Sequence, residues 1–223
     1  MYGIREIIEP SPDGISVRGF LHLPEMANGN GLALTHSAGA NCQSPLLVSV
    51  ARAFCETGFT VLRFDLPFRQ LRPHGPPLRG SAERDQLGIR RAIEVLRKRV
   101  PERVFAGGHS YGGRQVTMLT ASDEPPQLDG LLLFSYPLRP PKRPEQLRTA
   151  HFPRLRTPAL FVHGTKDGFG TIDEMTRALK LIPAPTRLLS VLGAGHEILS
   201  KRNVDELPKQ VVDVLSAFYS VSR

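Results

Sequence analysis

Val104-Phe105-Ala106-Gly107-Gly108-His109-Ser110-Tyr111-Gly112-Gly113 decides the reading of this chain. A short apolar, β-prone run enters Gly108-His109-Ser110-Tyr111-Gly112, and a helical pattern leaves it near Gly113. Strand, G-x-S-x-G turn and helix together describe a nucleophile elbow. The chemistry asks for these residue types. A serine at the tip of so sharp a turn occupies strained backbone, and the flanking glycines let strand and helix approach without Cβ clashes. The turn aims the Ser110 hydroxyl at a cleft and leaves the Tyr111 amide beside it, in place to stabilise an oxyanion.

Two further stretches lie downstream. Phe161-Val162-His163-Gly164-Thr165-Lys166-Asp167-Gly168 reads as an apolar strand ending in a polar turn that carries an acid. Leu188 to Leu192 form another apolar strand, followed by Gly193-Ala194-Gly195-His196-Glu197. A serine hydroxyl is a poor nucleophile near neutral pH and needs a neutral imidazole to take its proton. The imidazole needs a carboxylate to fix its tautomer and stabilise the imidazolium. Ser110 is therefore the candidate nucleophile, His196 the general acid/base and Asp167 the orienting acid. Asp173 and Glu174 read as first-turn charges of the next helix, and Glu197 as a solvated residue or a local partner. His36, His109 and His163 precede turns and are expected to brace loops.

Serine, aspartate and histidine in that chain order, each just past a strand, resemble the triad of the α/β-hydrolase superfamily over about residues 15–220. Gly108 to Gly113 and the run Leu131-Leu132-Leu133-Phe134-Ser135-Tyr136-Pro137-Leu138 most resemble its Tex30/KANL3-like branch, near the dienelactone-hydrolase group. The resemblance implies a serine-hydrolase scaffold and triad but no particular substrate. It also implies a second oxyanion donor within Thr35-His36-Ser37-Ala38-Gly39-Ala40, where these hydrolases usually carry His-Gly-x. Ser37 stands in the glycine position. The Ala38 amide is the expected donor, with Ser37 as its rival.

The rest of the chain fits one α/β domain over residues 1–223, three layers with a mostly parallel twisted sheet and helices on both faces. Its 223 residues are 40% hydrophobic and 22% charged, enough for one substantial core. Strands are expected at 4–9, 15–23, 31–36, 59–65 and 129–134, the first two as an antiparallel hairpin around Ser11-Pro12-Asp13-Gly14. Helices are expected from Ser44-Pro45 to Gly58, around Leu87–Leu96, near 171–182 and over 208–220. No apolar run reaches the roughly 18 residues of a membrane span. Met1 to Glu6 carries no signal-peptide pattern, so a cytoplasmic setting is expected. Cys42 and Cys55 make neither a disulfide framework nor a metal pattern; both are expected to be buried in a helical region. No metal or cofactor is expected, since no His-x-His or His-Glu-x-x-His pair occurs.

The formal charge is +8, and 23 of the 29 basic residues are arginines. Many sit in two expected loops, Pro67 to His74 and 135–157, both leaving the carboxyl ends of strands. They suggest a small-molecule substrate that carries negative charge, with Arg69, Arg72 and Ser37 as candidate contacts. The second loop is short and proline-rich. It has room for a helix near 145–150 but not for a large lid domain. The favoured activity is ester or thioester cleavage through an acyl-enzyme. The alternative is a non-catalytic interaction module using the basic surface; nucleic-acid binding lacks an aromatic-rich basic motif.

Overall fold

The computed structural model describes residues 2–11, 13–140, 143 and 145–221. Eight strands form one sheet in the order β1-β2-β4-β3-β5-β6-β7-β8. β1 (Gly3–Glu9) and β2 (Val17–Leu23) pair as the expected antiparallel hairpin, and β2 runs antiparallel to β4 (Thr60–Phe64). From there β3 (Gly31–Thr35), β5 (Val104–His109), β6 (Gly130–Phe134), β7 (Ala159–Gly164) and β8 (Thr186–Val191) continue in parallel. The architecture is the mostly parallel α/β fold expected from the alternating pattern.

The layers follow from the two-residue period of a strand, which sends neighbouring side chains to opposite faces. On β6, Leu131 and Leu133 enter one core, while Leu132 and Phe134 enter the other. On β7, Ala159 and Phe161 divide from Leu160 and Val162 in the same way. One face is covered by α1 (Pro45–Glu56) and α6 (Leu207–Val221), through Leu47, Val50, Phe54, Val211 and Leu215. The other is covered by α3 (Ser81–Arg97), α4 (Tyr111–Thr120) and α5 (Ile172–Leu179), through Ile89, Ala92, Val116 and Met175. A strand buried on both faces reads as a continuous apolar run, which is why Leu131-Leu132-Leu133-Phe134 was legible.

Three local expectations are corrected. Pro67–Leu71 is a short helix, α2, and not a loop; proline takes its first turn, and Phe68 and Arg69 are buried. No helix forms at 145–150; a 3-10 turn over Phe152–Arg154 stands there instead, opened by Pro153. Cys42 is buried in the loop before α1, whereas Cys55 is buried within that helix. Among the described residues of 135–158 there is no lid domain, and no helix is long and apolar enough to cross a membrane.

Burial is the largest cause holding five histidines low. His22 and His151 are pushed down from 6.5 to about 4, and His36, His109 and His163 are also lowered. Once unfolded, each takes up a proton near pH 6.5, while the folded chain keeps it neutral. The unfolded state then binds more protons, so stability is complete above pH 6.5 and is lost as pH falls towards 4. Thermal unfolding should show a midpoint that is flat near neutrality and drops by on the order of 10 °C between about pH 6.5 and 4.5. A midpoint unchanged down to pH 5 would contradict this.

Candidate active site

The carboxyl ends of β5, β7 and β8 bring the three candidate residues together. Ser110 closes β5 and caps α4 with φ 51° and ψ −111°, a left-handed conformation costly for a side-chain-bearing residue. Two neighbours make the turn sterically possible only as glycine. A Cβ on Gly108 would stand 2.7 Å from the Thr35 carbonyl oxygen, and one on Gly112 would stand 2.5 Å from that of His36. The Ser110 N–H donates to the Phe134 carbonyl at 2.8 Å, which ties the turn to β6. Tyr111 is the first residue of α4, so its N–H has no carbonyl to bond inside the helix.

His196 sits after β8 with Nε2 2.8 Å from Ser110 Oγ and Nδ1 2.9 Å from Asp167 Oδ2. Asp167 lies in the turn after β7 with its side chain fully buried, and its Oδ1 accepts the Phe169 N–H at 2.8 Å. Burial works to raise the Asp167 pKa, but the hydrogen bonds from His196 and Phe169 outweigh it and hold the carboxyl below its ordinary range. The carboxylate is thus an acceptor, Nδ1 of His196 carries the proton, and Nε2 is free to accept from the serine hydroxyl. The Phe169 ring packs 4.3 Å from the imidazole. His109 Nε2 donates to the His196 carbonyl at 3.1 Å and His163 Nε2 to that of Gly170 at 2.8 Å, so both brace loops as expected.

The loop after β3 is held from behind by buried side chains. The Leu66 N–H donates to His36 Nε2 at 3.1 Å, so the proton of that ring is on Nδ1, which donates to the Ser37 carbonyl at 2.8 Å. In a trans peptide the C=O and N–H point in opposite directions, so fixing the Ser37 carbonyl fixes the Ala38 N–H facing away from His36. Asp65 Oδ1 accepts the Cys42 N–H at 2.7 Å, and buried Arg63 donates to the Cys42 carbonyl. Arg69 completes the clamp. Its guanidinium donates to the carbonyls of Ala40 (2.8 Å), Ala38 (2.8 Å), Gly75 (2.9 Å) and Arg72 (3.0 Å).

These contacts move Arg69 and Arg72 out of the role expected for them. Arg69 is 3% exposed with its donors spent on main chain, and Arg72 is an exposed residue that lends it a carbonyl. Neither lines the cavity in front of Ser110. That cavity, of about 670 Å³, is walled by Ser37 and Ala38, by Leu78 and Arg79, and by Arg114 and Arg148. Sequence reading missed Asp85, which is fully buried and accepts both the Tyr111 hydroxyl (2.7 Å) and the Phe68 N–H (3.0 Å). One signal was available: Asp85 precedes Ile89 by four residues and Ala92 by seven, on the apolar stripe of α3.

The family described as alpha/beta hydrolase domain matches residues 29–220. A dienelactone hydrolase from Anabaena variabilis superposes with a TM-score of 0.75 at 20% identity, covering 97% of this chain and 98% of the other. Est1E from Butyrivibrio proteoclasticus gives 0.74 at 16% identity, over 96% and 99%. A serine hydrolase without a lid from Xanthomonas campestris gives 0.74 at 18% identity, over 96% and 94%. At these identities the structures speak for the fold alone. The match over most of the chain's length, together with the sheet order and the elbow, makes this protein a member of the α/β-hydrolase family.

Proposed function

We propose that this protein is a serine hydrolase that cleaves esters or thioesters through an acyl-enzyme. The observation that carries the reading is the unbroken hydrogen-bond chain from Ser110 Oγ through His196 to the buried Asp167. As Oγ attacks the substrate carbonyl, His196 Nε2 takes its proton, and Asp167 stabilises the imidazolium without itself being protonated. The Tyr111 and Ala38 amides are the donors for the tetrahedral oxyanion. Collapse expels the alcohol or thiol, protonated by His196, and leaves the acyl group on Ser110. Water activated by the same imidazole then hydrolyses that ester. The cavity is open to solvent and short of a lid, which suits small or extended soluble substrates.

A fluorophosphonate probe should label the folded wild-type protein and not Ser110→Ala, and short acyl esters should be turned over only by the former. Asp167→Asn should label slowly, with kcat reduced about 10⁴-fold through loss of the correct tautomer. Equal labelling of wild type and Ser110→Ala would sink the assignment.

Arg69 acts in this reading through the oxyanion loop. Arg69→Gln should lower kcat about 100-fold for neutral and anionic esters alike, because the Ala38 amide loses its fixed position. It should also lower stability by on the order of 3 kcal/mol, because buried carbonyls lose their donors. A loss confined to anionic esters would instead make Arg69 a substrate contact.

A further inference from the structure

Three arginines line the cavity without an ion pair among the described residues; Arg79 is exposed to solvent, whereas Arg114 and Arg148 are half-buried. Arg114 lies one helical turn beyond the nucleophile, its N–H bonded to the Ser110 carbonyl at 2.9 Å, so it leaves the same side of α4 as Ser110. Arg148 belongs to the segment between β6 and β7 and is held by its main chain. Its N–H donates to the Leu138 carbonyl at 2.7 Å, and its carbonyl accepts the hydroxyl of buried Tyr136 at 2.7 Å. Both side chains line the same cavity as Ser110 and His196.

Nearby arginines have found acids: Arg139 pairs with Glu174, and Arg154 lies 3.5 Å from Asp123. Arg114 and Arg148 make no ion pair and no side-chain hydrogen bond among the described residues, and Arg114 Nε is buried without a partner. Glu197, the acid on that wall, is exposed and pairs with neither. Burial, and next the charge of Arg114, push the Arg148 guanidinium below its usual range, as expected of like charges held close. Half-buried cations without an anion are unfavourable, and a ligand that supplies one relieves both desolvation and repulsion.

We propose that Arg114 and Arg148 form a subsite for an oxyanion group, carboxylate or phosphate, borne by the substrate a few bonds from its scissile carbonyl. Arg114 follows Ser110 by four residues, about 6 Å along the helix axis, so both belong to one wall of the cavity. Guanidinium forks match both groups in bidentate geometry. The selection of substrates rests on the hydrolase reading, whereas the binding of anions does not. The negative charge suggested by composition thus finds its contacts on arginines other than Arg69 and Arg72.

The test has two arms. In the first, inorganic phosphate and succinate are titrated calorimetrically into Ser110→Ala protein with and without Arg114→Gln and Arg148→Gln, all checked for an unchanged thermal midpoint. Saturable binding of at least one anion, weakened about tenfold or more by the paired substitutions, is expected. Affinity unaltered by them, or no binding to the parent, overturns the subsite. Where the pair fails to fold, the single Arg148→Gln variant decides the arm by the same criterion.

The second arm compares kcat/KM within two pairs of matched leaving groups, mono-4-nitrophenyl glutarate against 4-nitrophenyl butyrate and 4-(butyryloxy)phenyl phosphate against 4-methoxyphenyl butyrate. A charged substrate should be favoured over its neutral match by about tenfold or more, and the paired substitutions should bring that ratio towards unity. The favoured substrate tells carboxylate from phosphate. Ser110-dependent turnover with both ratios near unity and unmoved by the substitutions overturns the subsite and leaves the hydrolase intact. Absence of Ser110-dependent turnover overturns the hydrolase, and the first arm still decides the subsite.

Discussion

The backbone at Ser110 is held at φ 51°, and the remainder of the site depends on that conformation being enforced. Such a residue costs about 1–3 kcal/mol and persists only where its surroundings leave no alternative. Here the surroundings are main chain. Gly108 and Gly112 lie against the backbone of Thr35 and His36, and the Ser110 N–H is bonded to β6. Strand, turn and helix are thereby locked to the loop after β3. The turn that carries Ser110 thus stands in the same cavity wall as Ala38 and Tyr111.

A second set of contacts keeps that loop in place from the side opposite the cavity. His36, Asp65, Arg63 and Arg69 each spend buried polar groups on main chain between Ser37 and Cys42. Buried polar groups are costly unless satisfied, so such a network specifies one conformation strongly when it is complete. The neutral state of His36 belongs to this design. With Leu66 N–H donating to Nε2, a proton there would break the bond that orients the ring. The acid sensitivity expected of the fold and the bracing of this loop therefore meet in the buried imidazole of His36.

How much was legible in the sequence follows from the range of each interaction. The doubly buried strands announce themselves as apolar runs, and the elbow through glycines that only a tight crossing requires; both are local patterns. Ser110, Asp167 and His196 were legible because each stands just past a strand, and parallel strands deliver their ends to one edge. Arg69 was misread because its four acceptors are carbonyls of the loop after β3 and of its own segment, which leave no trace in residue type. In sequence a buried arginine bonded to main chain looks like any surface cation. Asp85 was missed for a related reason: a carboxylate on an apolar helical stripe signals only that something will donate to it. The absence of a helix at 145–150 goes with main chain spent outside the segment: the Arg148 N–H donates to the Leu138 carbonyl, and the Arg148 carbonyl accepts the Tyr136 hydroxyl.

The claim on which the account turns is covalent chemistry at Ser110. Rapid acid quenching of the protein during turnover of an activated acyl ester, followed by peptide mass mapping, tests it most directly. The account predicts one added acyl group, carried by the peptide containing Ser110 and decaying as product forms. Steady turnover with no acyl adduct, or with the adduct on another residue, would contradict it.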